Sequence, residues 1–324
     1  MNNDFITIGG VTRDISFLTD EGVLIKNPKD ILKQELLGFE YGAKIKVDNF
    51  SYSFGGGAAN SAVCLANFNF KVACLASIAN DESGVLIKNN LKKRGVEINL
   101  LKIEKGESSG TSFILIAPEG ERIIFAQRGA NSLLKLSSSD LKKITKTKNI
   151  YIASLAGNWQ KNLEDIFSVI NDQHRVFWNP GMSQLLSGAQ KISKFIKKVT
   201  VLALNKDEAL QLLYSSKIIS DDYKHLDNED DIVRAIYLLG AKIVVITLGD
   251  KGVIAYDGEK IYRRQIVKGG IKKDTTGVGD IFNSSFAAGY LKHSGDINQA
   301  LDLALRNAAA KISHLGAQNG LLKK

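Results

Sequence analysis

Apolar residues recur along this chain with two different periods. Short unbroken apolar runs stand at Phe5-Ile6-Thr7-Ile8 (ahead of Gly9-Gly10), Val72–Ala79, Ile150–Ser154, Val176–Asn179, Val199–Ala203, Ile243–Leu248 and Gly252–Tyr256. Runs of this length and composition read as buried strands. Helically spaced stretches separate them. One opens at Asp81-Glu82-Ser83-Gly84, runs to Lys93 and stops at Arg94-Gly95-Val96, with an acidic start and a glycine stop. Strand and helix in alternation predict a mostly parallel central sheet flanked by helices. The alternation breaks at Leu100–Ile103, Thr111–Ala117 and Arg122–Gln127, three strand-like runs with no helix between them. The last two are joined by a turn at Pro118-Glu119-Gly120, whose residues suit a tight reversal. Together with the segment 43–52, whose part Ala43–Asp48 alternates, these runs predict a small separate sheet. A charged piece at Asp30–Leu37, helical or looped, precedes it. The expected division is an α/β core of residues 1–10, 55–97 and 129–324, with a β-lid of residues 11–54 and 98–128 over the sheet's ligand edge.

Length and composition bound the class. The chain has 324 residues, 44% hydrophobic and 24% charged, which suits a soluble α/β domain with an appendage. No apolar run approaches the ~20 residues of a membrane span. The start, Met1-Asn2-Asn3-Asp4, lacks the basic region of a signal peptide. Cys64 and Cys74 have no metal-ligand spacing around them and fit a reducing compartment, so a cytoplasmic location is expected. Lys and Arg number 43 against 34 Asp and Glu, a balance of +9. That charge suits phosphate-bearing substrates as well as nucleic acid. The clusters Lys191-Lys194-Lys197-Lys198 and Lys142-Lys143-Lys146-Lys148 lie in helical patterns without interleaved aromatics, which favours solvated helix faces over a nucleic-acid platform.

The chemistry concentrates at Asp274-Thr275-Thr276-Gly277-Val278-Gly279-Asp280, which runs into the helical pattern of residues 281–290. Glycines let consecutive N–H groups converge, and the following helix directs its positive end at the same point. A carboxylate inside an anion site makes sense as a base beside developing negative charge, an arrangement suited to phosphoryl transfer to a hydroxyl. An ordinary loop with Asp280 as helix cap fits the same letters. Asp14, just past the first strand's Gly-Gly, falls near a ligand-binding edge or in a turn. Gly55-Gly56-Gly57-Ala58-Ala59-Asn60 opens a helix of small residues that a ligand could approach closely. Asn205 and Glu208 lie one turn apart on a helix start, which fits either a water-mediated metal contact or a capping box.

These stretches resemble, in order, the motifs of the ribokinase-like carbohydrate kinases, the PfkB family. Asp-Thr-Thr-Gly-x-Gly-Asp is similar to that family's signature near the C-terminus, with Val278 where a smaller residue is usual and Ser285 where Gly or Ala is. The resemblance implies a ribokinase-like α/β fold, Asp280 as catalytic base, and Gly277, Val278 and Gly279 as the anion hole. Asp14, Gly56, Gly57 and Asn60 become sugar contacts. Arg128, in Arg128-Gly129-Ala130-Asn131, fits either a substrate contact or a hinge. Thr247, Gly249 and Gly252, with Asp274, Thr275, Asn205 and Asn307, fall at nucleotide-binding positions. Asn205 and Glu208 would act on Mg2+ through water. The implied reaction is transfer of the γ-phosphoryl group of ATP to a primary hydroxyl of a small sugar, with a ribonucleoside or a sugar phosphate as other acceptors. The family resemblance also allows a monovalent cation such as K+, which Lys272 and Lys273 leave open. No P-loop string and no Gly-x-Gly-x-x-Gly after the first strand occurs.

Rival classes are a non-catalytic relative, which would lack the base that Asp280 supplies, and a nucleic-acid binder. Phosphorylated acceptors need cationic grips, and only Arg13 and Arg128 are placed by motif near that end. A nucleoside needs an apolar slot, for which Phe17, Phe54 and Phe113 are candidates. Phe50, Tyr52 and Phe113 also suggest an apolar lid face through which two subunits would pair.

Overall fold

A computed structural model describes residues 3–27, 35–116, 122–216, 228–267 and 272–323. In chain order the first elements are β1 (Phe5–Ile8), β2 (Thr12–Leu18), β3 (Val23–Lys26), β4 (Glu35–Gly38), β5 (Asp48–Gly55), α1 (Gly57–Asn67), β6 (Val72–Ala79) and α2 (Glu82–Lys93). Then come β7 (Leu101–Glu104), β8 (Thr111–Ile116), β9 (Arg122–Gln127), α3 (Ser138–Thr145), β10 (Asn149–Ile152), α4 (Trp159–Val169) and β11 (Arg175–Trp178). They continue with α5 (Met182–Leu186), α6 (Ala189–Ile196), β12 (Val201–Asn205), α7 (Lys206–Tyr214) and α8 (Glu229–Tyr237). The last are β13 (Ile243–Thr247), β14 (Val253–Tyr256), β15 (Ile261–Arg264), α9 (Val278–Lys292) and α10 (Ile297–Ile312).

The large sheet runs β15-β14-β13-β12-β11-β10-β1-β6-β7. It is parallel from β7 to β13 and antiparallel only where β14 joins β13 and β15. The inner strands are apolar throughout because helices cover both faces. Ile6, Ile8, Ile150, Ile152, Val176 and Trp178 face one apolar layer. Phe5, Cys74, Tyr151, Phe177 and Val245 face the other, shared with α1, α9 and α10. The start of α9 is therefore held against the middle of the sheet, at the carboxyl ends of its strands.

The small sheet runs β5-β2-β8-β9, and its register sorts the side chains. Asp14 pairs with Ser53 and Ser112, and Ser112 with Ala126, so these share one face with Ile114, Ile124 and Arg122. Tyr52, Ile15, Phe113 and Phe125 form the opposite row.

Three elements differ from expectation. The run at Leu100–Ile103 joins the large sheet as β7, pairing Ala76 with Leu101 through Ala79 with Glu104, not the small one. It completes a βαβ unit after α2, and its alternation is that of an edge strand with one solvated face. Of the segment 43–52 expected to pair, only residues from Asp48 are in the strand, which extends to Gly55. Of the piece at Asp30–Leu37, residues from Glu35 form β4, paired with β3. Residues 30–34, and the turn expected at Pro118-Glu119-Gly120, lie outside the described residues.

Candidate active site

One cavity of about 370 Å³ lies between the inner face of the small sheet and the carboxyl ends of β1, β10, β11, β12 and β13. Open α/β sheets place ligands at such an edge. Gly10, Ser154, Asn179, Asn205 and Thr247 line it from the large sheet, and Asp14, Ser112, Arg122 and Ala126 from the small one. Gly57, Asn60, Gly277, Gly279 and Asp280 line it from the starts of α1 and α9. None of its described lining residues is aromatic.

Glycines create the close approach of the two helix starts. Gly56 has φ 88°, and a Cβ there would stand 2.4 Å from Gly10 O. A Cβ on Gly55 would meet Asp14 Oδ2 at 2.0 Å, and one on Gly57 would lie 3.3 Å from Asp280 Oδ1. The glycine run thus leaves room for two carboxylates. Gly277, at φ 71°, turns the chain into α9. Its N–H and that of Gly279 find no protein acceptor among the described residues. Val278 does not complete this pair. Its N–H donates to Thr275 O at 3.2 Å, and its side chain lies outside the cavity lining.

Asp280 accepts from Asn60 Nδ2 at 2.8 Å, while Asn60 Oδ1 accepts from Gln318 Nε2 at 3.2 Å. Burial pushes the Asp280 carboxyl above its ordinary value and Asp14 adds to the rise, against the Asn60 hydrogen bond and the Arg122 charge. Asp14 is buried and accepts from Thr12 Oγ1 at 2.7 Å. Burial raises its pKa too, against hydrogen bonds from Thr12 and Ser112. Two carboxylates held partly desolvated in one cavity are poised to take a proton or to bind hydroxyls. Asn283, one turn after Asp280, also lines the cavity, and its Oδ1 is buried without a partner.

Asn205 and Glu208 form a reciprocal capping box: Glu208 N donates to Asn205 Oδ1 at 2.8 Å, and Asn205 N to Glu208 Oε2 at 2.9 Å. Each side chain has a second polar end, and both residues line the cavity. Burial, joined by the charges of Asp280 and Asp207, raises the Glu208 carboxyl to about 7 against the Asn205 N–H. No group of three His, Cys, Asp or Glu among the described residues could hold a metal directly. Mg2+ keeps several waters and takes one or two carboxylates plus phosphates, so the open end of Glu208 fits an outer-sphere contact.

The remaining nucleotide positions divide. Thr247 lines the cavity, and Gly249 and Gly252, both at positive φ, shape the turn after it. A Cβ on Gly252 would stand 2.0 Å from Arg264 O. Asp274 and Thr275 lie outside the lining. The Asp274 carboxylate accepts from Thr276 N at 2.7 Å and Gly316 N at 2.8 Å, and Thr275 Oγ1 accepts from Arg122 Nη1. Asn307 is wholly buried: Nδ2 donates to Ser285 Oγ at 2.8 Å, and Oδ1 accepts from Leu322 N at 2.7 Å. Its side chain ties α10 to α9 and the C-terminal segment, and is closed to a nucleotide. The usual small residue is replaced at Ser285 by one whose hydroxyl serves that tie.

Arg128 lines the cavity with its side chain, while its carbonyl accepts from Asn131 N in the turn of Gly129–Leu133. The lining position and the backbone tie are compatible, so the two alternatives for it do not exclude one another. Arg13 points the other way, pairing with Glu82 at 3.1 Å and lying over Tyr52. In its place Arg122 enters the cavity. No local signal marks Arg122, since its direction depends on the β8–β9 register.

The pfkB family carbohydrate kinase profile matches residues 30–324. The chain belongs to the PfkB family of carbohydrate kinases. Its fold is ribokinase-like, and it is a phosphotransferase with an alcohol group as acceptor. It is 25% identical to a ribokinase of Haemophilus influenzae over 295 residues, 86% of this chain and 88% of that one. It is likewise 25% identical over 298 residues to an ATP-dependent 6-phosphofructokinase of Thermoanaerobacterium thermosaccharolyticum, 87% and 86% of the two chains. The structure of Arabidopsis thaliana ribokinase complexed with ribose and ATP superposes with a TM-score of 0.79 at 20% identity, covering 100% of this chain and 96% of that one. No helix among the described residues is long and apolar enough to cross a membrane.

Proposed function

We propose that this sugar kinase moves the γ-phosphoryl group of ATP to a primary hydroxyl of a small, unphosphorylated, ribose-like sugar. The observation that carries this reading is the Asn60–Asp280 contact at the start of α9, beside the open N–H groups of Gly277 and Gly279. Asp280 takes the hydroxyl proton as that oxygen bonds to the γ-phosphorus and the bond from the γ-phosphorus to the β–γ bridging oxygen breaks, releasing ADP. Its raised pKa strengthens it as a base. The Gly277 and Gly279 amides and the Arg122 guanidinium face the charge that develops. Asp14 and the acceptor side of Asn60 hold sugar hydroxyls. Mg2+, held through water by Glu208 and Asn205, would neutralise phosphate charge. The absence of aromatic rings from the described lining speaks against a nucleoside, which needs a stacking slot. Phe17 and Phe113 belong to the outer face of the small sheet instead.

Arg122 and Arg128 in the lining favour a second reading, in which the acceptor carries a phosphate gripped by guanidinium groups. ADP release measured with ribose, fructose, adenosine, ribose 1-phosphate and fructose 6-phosphate decides between them. Turnover of a free sugar is expected. Turnover of an ester alone would transfer the assignment to the phosphorylated class, and turnover of adenosine alone would overturn both. The exposed outer face of the small sheet also supports a homodimer in which two such faces cover one another.

A further inference from the structure

Behind the loop that leads into α9 sits a lysine with no solvent exposure, Lys311 in the last turn of α10. Lysines are almost never fully buried without a partner, because a desolvated ammonium is costly. Its Nζ donates to Asp274 O at 2.7 Å and lies 3.4 Å from Asp274 Oδ2. Both oxygens belong to the first residue of the loop that presents Gly277, Gly279 and Asp280. The same loop is strapped to the end of α10, where Ile312 O accepts from Lys273 N at 2.9 Å and Asp274 N at 3.2 Å. Burial, with a smaller push from the Arg122 charge, lowers the Lys311 pKa to about 8 against the opposing pull of Asp274. Burial also opposes the charge on Asp274, but bonds from Thr276 and Gly316 together with Lys311 keep its carboxyl below the ordinary value.

We propose that Lys311 supplies, as a fixed side chain, the positive charge that holds this loop in shape, so that turnover needs no dissolved monovalent cation. An ammonium among carbonyl and carboxylate oxygens presents the same charge, and nearly the same size, as K+. The K+ that the family resemblance allows does not fit here. Both carboxylate oxygens of Asp274 accept backbone N–H groups, its carbonyl accepts the ammonium, and the same ammonium stands beside the carboxylate. Lys311 is a positioning residue, since it touches no cavity-lining atom that would meet substrate.

The inference rests on the kinase reading for its rate measurement only, because melting reads the loop without turnover. At matched ionic strength, the wild type in KCl, NH4Cl or tetramethylammonium chloride should give the same melting temperature, and ADP-release rates equal within about twofold. Lys311→Ala should melt lower. K+, NH4+ or methylammonium, but not tetramethylammonium, should restore its melting temperature and rate, since only the small cations enter the space left behind. Recovery of this kind separates a missing charge from a merely disrupted core. A wild type that K+ activates or stabilises, or a folded Lys311→Ala that no small cation restores, overturns the proposal. Should the variant not fold, the wild-type comparison decides alone. Absence of turnover with every acceptor would sink the kinase reading, and the melting series would still judge Lys311.

Discussion

The loop entering α9 and the small sheet face each other across one cavity, and they are built on opposite terms. In the loop, Asp274 is tied by two backbone N–H groups and the Lys311 ammonium, Val278 N–H by Thr275, and Asp280 by Asn60. Packed against the sheet, such a network holds its reacting groups in one geometry before any ligand arrives. The small sheet turns Asp14, Ser112 and Arg122 toward the cavity, beside Ile114 and Ile124, and Tyr52, Phe113 and Phe125 outward. Phe50 is 54% exposed, Tyr52 61% and Phe125 57%. Exposed apolar surface and a single packed face mark a region of lower local stability. On the proposed function, the difference would leave the chemistry to the rigid wall and acceptor choice to the other.

The sharpest way to break this division is at the base. Asp280→Asn keeps the hydrogen-bonding shape but removes the proton acceptor, and should lower kcat by ~10²–10⁴. ADP affinity, read by calorimetry, should stay near wild type. A variant with normal turnover would strip the α9 wall of its chemical role.

Among the described residues of the small sheet, Arg122 hydrogen-bonds the α9 loop through Thr275. Arg122→Met removes a charge beside the reacting phosphate, a contact of about 1.5–3 kcal/mol, hence roughly 10–100-fold in kcat/KM. Arg122→Lys should restore little of it, because an ammonium lacks the guanidinium fork. Full activity in Arg122→Met would mean that the two walls act without contact.

Asp14 and Asn60 carry the same expected role in the sequence, and the structure separates them. Asp14 sits on the small sheet and touches the base only through its field, whereas Asn60 donates directly to Asp280. Asp14→Ala should raise the acceptor KM by roughly 10-fold or more while leaving kcat largely intact. Asn60→Ala should change both. The Asn60 bond lowers the Asp280 pKa, so its loss raises that pKa. The acidic limb of the kcat profile should therefore move to higher pH. Identical pH profiles for wild type and Asn60→Ala would show that the contact does not tune the base.

How far the letters alone carry depends on whether a group's place is set locally. Gly56, Gly57, Asn60, Gly277 and Asp280 each lie within a few residues of the turn that aims them, and they reach the cavity as their motifs imply. Thr12–Leu18 does not read as an ordinary strand from its letters because its pattern is inverted. Asp14 and Ser16 face inward toward a polar cavity, and Ile15 and Phe17 face out. An ordinary half-buried strand buries its apolar set. Arg122 and Asn307 depend on long-range packing, one on strand register and the other on how α10 meets α9, and no short motif encodes either. At Asn205 and Glu208 the two competing readings are compatible, because each side chain caps with one atom and leaves another toward the cavity.

The smallest expected effect on turnover comes from the outer face of the small sheet. Its row Tyr52, Ile15, Phe113 and Phe125 runs across all four strands, with Phe113 44% exposed. Uncovered apolar strands at sheet edges invite pairing with another chain, and a second copy offers a self-complementary face. None of these side chains lines the cavity, so a charge placed among them should disturb assembly before chemistry. Phe125→Asp puts a carboxylate within such an interface, at the end of the row, where an unpaired charge is expensive to desolvate. Sedimentation should show the wild type as a dimer at micromolar concentration and Phe125→Asp as a monomer, with kcat changed by no more than about threefold. A wild-type monomer would show that the face stays uncovered. A monomeric variant that also loses acceptor affinity would show instead that pairing steadies the inner face, which would make the small sheet's tolerance of exposed aromatics part of how it recognises sugar.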